Sequence, residues 1–271
     1  MTILLIIVVI LISLYLFALK GRTGAPGLEK LKGWHYAHRG LHDKNYEGIP
    51  ENSITAFKAA IEHGYGAELD VHLLADGNLA VIHDSLLKRT TGAEGRIEDL
   101  TVEQLDNYHL ENTEDTIPTF EEVLTLFEGK APLIIELKAV DKNHAALCKK
   151  VCDVLDGYQV DYCIESFDPR CVAWLKNNRP EIIRGQLASN FLKRDQKMPL
   201  WQRIILSTNL TFIATRPDFI AYNFADRNTL GNCIARKLWK VQGVAWTIRS
   251  QEDHDTAIKE GWMSIFEYFK P

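Results

Sequence analysis

Glu68-Leu69-Asp70-Val71-His72-Leu73-Leu74-Ala75-Asp76-Gly77-Asn78-Leu79-Ala80-Val81-Ile82-His83-Asp84 is the stretch whose reading decides the fold. Asp76-Gly77 is a tight-turn signal between two strand-like runs, Glu68–Leu74 and Leu79–His83. A turn that short joins antiparallel strands, because a parallel pair needs a crossover of about a dozen residues or more. The run ending at His83 is therefore not the next strand of a parallel sheet. It opens an insertion, about His72 to Ile117, that folds back over one end of the sheet.

Outward from this stretch, strand-like runs recur at Trp34–His38, Ala67–Val71, Leu133–Lys138, Tyr162–Ser166, Ile182–Leu187, Phe219–Tyr222, Gly243–Ile248 and, more weakly, Ser264–Tyr268. Between most of them lie amphipathic stretches at Ile54–Glu62, Phe120–Glu128, Ala145–Leu155, Pro169–Asn177, Leu200–Leu210, Thr229–Leu238 and Glu252–Glu260. Thr101-Val102-Glu103-Gln104 and Thr119-Phe120-Glu121-Glu122 carry capping-box signatures, and Ser53 is placed to cap the helix that follows it. Strand–helix alternation implies a mostly parallel sheet. Eight strands with helices between them over roughly 240 residues is the arithmetic of an α/β fold, the (β/α)8 TIM barrel. The barrel is expected over residues 34–271, with the insertion after its second strand and a Gly- and Lys-containing linker at 21–33 ahead of it.

Residues Thr2 to Leu19 are almost continuously apolar, interrupted only by Ser13 and Tyr15. Roughly 18 such residues at ~1.5 Å rise just reach across a ~30 Å hydrocarbon core, so residues 1–20 are expected to form a transmembrane anchor. A cleaved signal peptide is disfavoured, for no basic region precedes the apolar run and no A-x-A site follows it. Lys20, Arg22, Lys30 and Lys32 come after the run. By the positive-inside rule they place a single-pass protein in the cell membrane with its N-terminus outside and the rest of the chain in the cytoplasm. The five cysteines, an odd number without a CxxC pair, read as reduced structural thiols. A net charge of −5 offers no basic patch for nucleic acid, whereas an acidic excess suits a divalent cation.

The polar residues gather at strand ends. Residues two apart in a strand share a face, so Glu68 and Asp70 point together, as do Glu136 and Lys138. Burying Glu68, Asp70 and Glu136 side by side is costly for each charge unless a cation compensates. An all-carboxylate set suits a hard, oxygen-seeking ion better than zinc, that is Mg²⁺ or Ca²⁺, with Mn²⁺ as a further option. Taken singly, each is an ordinary surface acid paired with Lys or Arg; two alternating in one apolar strand with a third in another favour metal. His38 ends the first strand, at the C-terminal position where barrel enzymes keep their chemistry, and His83 ends the folded-back run. Histidine gives or takes a proton near neutral pH, and phosphodiester cleavage needs both acts at different oxygens. Arg39 and Lys138 are candidates to hold phosphate oxygens, or else counter-ions for the carboxylates. Glu51, just ahead of Ser53, is a candidate substrate contact. The remaining histidines read as structural, His42 least clearly so.

In chain order these residues resemble the glycerophosphodiester phosphodiesterase family. Its pattern runs HRG, P-E-N-S/T with A-F, E-x-D-V, D-G-x-x-V-x-H-D, R-T-T, I-P-T-x-x-E-V-L and E-x-K. Here it is met by His38-Arg39-Gly40, Pro50–Ser53 with Ala56-Phe57, Glu68–Val71, Asp76-Gly77 through His83-Asp84, Arg89-Thr90-Thr91, Ile117–Leu124 and Glu136-Leu137-Lys138. Ala245-Trp246-Thr247 resembles the family's late W-T strand. The resemblance implies a TIM barrel with a small insertion, a metal held by Glu68, Asp70 and Glu136, and acid–base work by His38 and His83. It also implies phosphate contacts from Arg39 and Lys138, Trp246 in the substrate wall, and hydrolysis of a glycerophosphodiester to glycerol 3-phosphate and an alcohol. The end of the chain departs from the family's D-G-I-I-T-D/N-x-P. Met263–Pro271 keeps only strand character and the proline, so barrel closure and one pocket wall rest on an atypical strand.

Lysophospholipase D-like hydrolysis of membrane lysophospholipids is the nearest alternative, since an apolar anchor would hold the barrel mouth near a bilayer. A catalytically dead, membrane-tethered binding protein would have lost a ligand or a histidine, and none is missing. A zinc hydrolase lacks the His/Cys ligand spacing.

Overall fold

The computed structural model describes residues 1–42, 48–194 and 197–271. In chain order the strands are β1 (His35–His38), β2 (Gly66–Leu73), β3 (Leu79–Val81), β4 (Leu133–Leu137), β5 (Tyr162–Ser166), β6 (Arg184–Ala188), β7 (Phe219–Asn223), β8 (Gln242–Ile248) and β9 (Trp262–Phe266). The helices are α1 (Thr2–Ala18), α2 (Leu28–Leu31), α3 (Ile54–Glu62), α4 (Lys88–Thr91), α5 (Phe120–Phe127), α6 (His144–Leu155), α7 (Pro169–Asn178), α8 (Phe191–Arg194), α9 (Leu200–Ser207), α10 (Phe212–Thr215), α11 (Leu230–Lys237) and α12 (Gln251–Lys259). The parallel strands run β1-β9-β8-β7-β6-β5-β4-β2, and a further β1–β2 pairing closes them into a TIM barrel. Closure on the atypical last strand is complete, through His35 opposite Ser264, Tyr36 opposite Ile265 and Ala37 opposite Phe266.

Strand alternation sorts the side chains. Leu69, Val71, Leu133, Ile135, Leu137 and Ile164 face outward into a core shared with Phe57, Phe120, Val123, Leu147 and Leu175 of the helices. Tyr36, Ile134, Cys163, Phe219, Val244 and Met263 pack in the interior cluster. Two residues further along, the same faces of β1, β4 and β5 carry His38, Glu136 and Glu165. The interior thus turns from apolar to ionic toward the C-terminal ends of the strands, where barrel enzymes hold their sites. The expected caps form: Ser53 accepts from the Ala56 amide at 3.0 Å, and Thr119 and Glu122 make a reciprocal capping box.

The insertion is as the Asp76-Gly77 turn requires. Val71 pairs with Val81, His72 with Ala80 and Leu73 with Leu79, all antiparallel. The segment then builds a small core of its own around Leu74, Ile82, Leu87, Ile97 and Leu105, and returns through a bridge between Ala80 and Thr119.

The linker at residues 21–33 packs against the barrel. Arg22 pairs with Asp218 and donates to the Ile182 carbonyl at 3.1 Å, while Leu28 and Leu31 of α2 are buried in the interior cluster. A barrel end lined with apolar side chains gains from such a cover. One expectation is corrected: the transmembrane anchor expected over residues 1–20 is not borne out. α1 has 17 residues, about 26 Å against a ~30 Å hydrocarbon core. The adjoining Ala18 and Leu19 are buried rather than open to lipid. Among the described residues, no helix is long and apolar enough to cross a membrane.

Candidate active site

The site is assembled where β1 turns into α3. Arg39 and Gly40 both take positive φ, 55° and 78°. A Cβ on Gly40 would fall 2.8 Å from Ala56 Cβ, so glycine is what lets α3 approach this closely. The Asn52 amide donates to the Arg39 carbonyl at 2.9 Å, which holds Glu51, Asn52 and Ser53 against the end of β1.

Strand register brings the acids together. Asp70 lies opposite Glu136, and Glu136 opposite Glu165. Glu68, Asp70 and Glu136 are all buried, with one oxygen from each within 4.8 Å of the others. Lys138 Nζ stands 2.9 Å from Asp70 and 2.7 Å from Glu136. The Arg39 amide donates to Glu68 at 3.1 Å, its guanidinium donates to Glu51 at 2.9 Å, and its Nε lies 3.5 Å from Asp70. Asn52 Nδ2 donates to Asp70 at 2.9 Å.

Five buried carboxylates, Glu51, Glu68, Asp70, Glu136 and Glu165, therefore gather around Lys138, Arg39 and Arg89, and the balance is uneven. Burial, then the charges of Asp70 and Glu136, push the Glu68 carboxyl well above its usual range. Burial and Glu136 do the same to Glu165, and Glu136 is raised by burial against the pull of Lys138. Asp70 goes the other way: burial opposes its charge, but Lys138, His83 and Arg39 outweigh burial and hold it well below. Glu165 Oε2 is buried with no hydrogen-bond partner. Oxygen donors only, closely spaced and under-compensated, fit a hard divalent cation.

Each histidine is held at Nδ1 by a carboxylate. His38 Nδ1 lies 2.8 Å from Glu267, with Nε2 3.9 Å from Glu68. Burial and then Arg39 lower its pKa, against the Glu267 hydrogen bond. Glu267 is also 3.5 Å from His42 and 2.7 Å from Arg249. Burial opposes its charge, but these neighbours hold it far below the ordinary range. His83 Nδ1 lies 2.6 Å from Asp84, and burial lowers its pKa to about 4. Arg89 pairs with Asp84 and forks onto Glu51 at 2.9 and 2.7 Å. His72, read as structural, donates to the His83 carbonyl at 3.2 Å and pairs with Glu98 at 2.7 Å, so it fixes the loop that carries His83.

His38, Arg39, Glu68, His83 and Glu136 line one cavity of about 190 Å³, with Glu165, Phe167 and Trp246 on its wall. Trp246 stands edge-on to Phe167 at 5.6 Å. Lys138 and Asp70 stand outside the lining, and Lys138 is spent on Asp70 and Glu136. Glu51 also stands outside it; both its oxygens accept from arginines, so it braces Arg39 rather than facing the cavity. Sequence reading missed Glu165, Asn52 and Glu267. Glu165 had a signal, since it alternates with Cys163 in an apolar strand. Asn52 sat within Pro50–Ser53, and Glu267 lies one residue past β9, where only closure of the barrel brings it to His38.

A profile of the Glycerophosphoryl diester phosphodiesterase family matches residues 38–266. The chain belongs to this family. A Bacillus altitudinis protein named glycerophosphodiester phosphodiesterase is 36% identical over 158 residues, covering 54% of this chain and 63% of its own length. The chain thus spans less than two thirds of that curated relative. A human protein named lysophospholipase D GDPD1 is 31% identical over 141 residues, 47% of this chain and 42% of its own. The structure of an Oleispira antarctica phosphodiesterase in complex with the product sn-glycerol-3-phosphate superposes with a TM-score of 0.72 at 22% identity, over 91% of this chain and 96% of the other. That likeness is one of fold, the TIM barrel that glycerophosphoryl diester phosphodiesterases share.

Proposed function

We propose that this chain hydrolyses glycerophosphodiesters to glycerol 3-phosphate and an alcohol, using one divalent cation, Mg²⁺ or Ca²⁺. The observation that carries this reading is the meeting of two carboxylate-held histidines with Glu68 and Glu136 in one cavity. Glu68, Asp70 and Glu136 would hold the cation, which supplies charge stabilisation at the phosphoryl oxygens when bound. One histidine takes the proton of the attacking oxygen, from water or from the substrate's own glycerol hydroxyl, and the other gives one to the leaving alkoxide; where the glycerol hydroxyl attacks, water then opens the cyclic phosphate to glycerol 3-phosphate. Glu267 and Asp84 occupy the two Nδ1 atoms, so Nε2 is the nitrogen each ring offers to substrate. Lys138 and Arg39 hold Asp70 ionised, and Lys138 holds Glu136 in place beside it. The test is turnover of glycerophosphocholine by chelated protein resupplied separately with Mg²⁺, Ca²⁺ and Mn²⁺. Undiminished turnover after chelation, or none with any ion, would sink the proposal.

A second substrate, a lysophospholipid, is favoured by the aromatic wall: Phe167 meets Trp246 at 5.6 Å and Phe191 at 6.1 Å, a surface suited to an alkyl chain. The name of the human relative points the same way. Turnover of lysophosphatidylcholine measured beside glycerophosphocholine separates the two. The all-round apolar, exposed α1 supports membrane association by insertion rather than crossing. The five unpaired cysteines support a barrel on the reducing, cytoplasmic side.

A further inference from the structure

We propose that the mouth of the barrel lies flat on a lipid bilayer, through exposed apolar side chains of α8, α9 and the start of α11; this rests on the reading of α1 as a lipid-inserted helix. The direction of α1 carries the inference. Gly21, just after α1, packs on Pro217 and Val241, which lead into β7 and β8 at the N-terminal end of the barrel. Trp239 donates to the Leu16 carbonyl at 2.7 Å, and Arg216 donates to the carbonyls of Phe17 at 2.9 Å and Lys20 at 2.6 Å. Further up, Tyr15 donates to the Thr208 carbonyl at 3.3 Å. Both groups pack on Gly231, in the first turn of α11, which follows the C-terminal end of β7. α1 thus climbs the outside of the barrel toward the cavity end. Residues 2–14 are all exposed and continue about 20 Å further.

Exposed apolar side chains flank the point where α1 leaves, as Ile213 and Leu238 do nearer its docked end. Leu230, next to Gly231, is 71% exposed. Leu200 and Trp201 are 61% and 62% exposed, and with Ile204 they form the outer face of α9. Leu192 is exposed on α8. Isolated apolar side chains are ordinary on a surface, whereas several beside a helix with no polar face call for an apolar partner. A bilayer meets both features, and tryptophan favours its interface. The surface also runs inward. Arg203 donates to the Phe191 carbonyl at 3.1 Å and ties α9 to α8, and Phe191 meets Phe167 of the cavity wall. An amphiphilic phosphodiester therefore enters from the lipid, its phosphate toward Arg39 and the cation that the carboxylates would hold, and its alkyl part along Phe191 and Phe167.

The test uses the full chain with vesicles of brominated phosphatidylcholine, which quenches tryptophan within the bilayer. Wild-type emission is expected to be quenched, and Trp201→Phe to lose the main quenched component. The double variant Leu200→Asp/Trp201→Asp is expected to keep glycerophosphocholine turnover while lysophosphatidylcholine turnover in vesicles falls about tenfold or more, as loss of two buried apolar side chains requires. Equal quenching in Trp201→Phe, or unchanged vesicle turnover in the Asp variant, overturns the proposal. So does a wild-type dimer that the Asp variant renders monomeric, which assigns the surface to a second copy. Failure of the wild type to bind vesicles instead sinks the insertion of α1, and lack of turnover on the soluble substrate sinks the activity; quenching is readable without either assay.

Discussion

Replacing Lys138 with Met removes the cation between two buried acids while keeping most of the apolar stem. In the wild type its Nζ is 2.9 Å from Asp70 and 2.7 Å from Glu136, and its side chain is 14% exposed. Without it, Asp70 keeps Asn52 and a guanidinium 3.5 Å away, and Glu136 loses its ion pair. Breaking one side of a buried pair costs roughly 3–5 kcal/mol. The lower half of that range applies, because Glu136, already raised in pKa, sheds charge by taking a proton. At about 2–4 °C per kcal/mol for a domain of this size, Tm in chelator falls by roughly 10 °C. A divalent cation at ~100 times its Kd adds about 2.7 kcal/mol to the folded state it binds. It acts on the charges that Lys138 had balanced, so the variant's deficit shrinks when Mg²⁺ or Ca²⁺ replaces chelator. Thermal denaturation followed by circular dichroism, in chelator and in saturating cation, measures both quantities. An unshifted Tm in chelator, or a deficit that cation leaves untouched, refutes the view of Lys138 as a surrogate for missing positive charge.

The other expectations concern the histidines and their partners. His38→Ala and His83→Ala each lower turnover by roughly 10²–10⁴-fold, while cation affinity measured by calorimetry stays near wild type; retained turnover rejects the acid–base roles. The folded His83 has a pKa near 4, below its ordinary value of 6.5, so between those pH values the unfolded chain binds a proton that the folded chain does not. Its contribution is therefore complete above about pH 6.5 and is lost as pH falls toward 4. In denaturant titrations across that window His83→Gln shows a shallower pH dependence than wild type, and identical slopes count against the burial argument. Glu267→Leu frees the His38 ring and lowers kcat roughly tenfold or more with KM little changed, and Glu267→Asp restores part of it. A change confined to KM makes Glu267 a substrate contact instead.

The sequence by itself determined the elements and the direction of their side chains. Period-two alternation set Glu68 with Asp70 and Glu136 with Lys138 on interior faces, and Asp76-Gly77 forced the antiparallel return that delivers His83. Ser53 and Thr119 capped their helices as local chemistry requires. These are short-range consequences of chain geometry, legible without neighbours. The tertiary structure alone decided how each charge is used. Glu51 lies behind Arg39, Lys138 is committed to two acids, and Glu267 reaches His38 across 229 positions of sequence. It also decided that the apolar N-terminal run forms a 17-residue helix whose last turn alone packs on the barrel. Periodicity tells which face a side chain takes, but a charge is balanced by whatever lies within a few ångströms of it, and barrel closure alone fixes those distances.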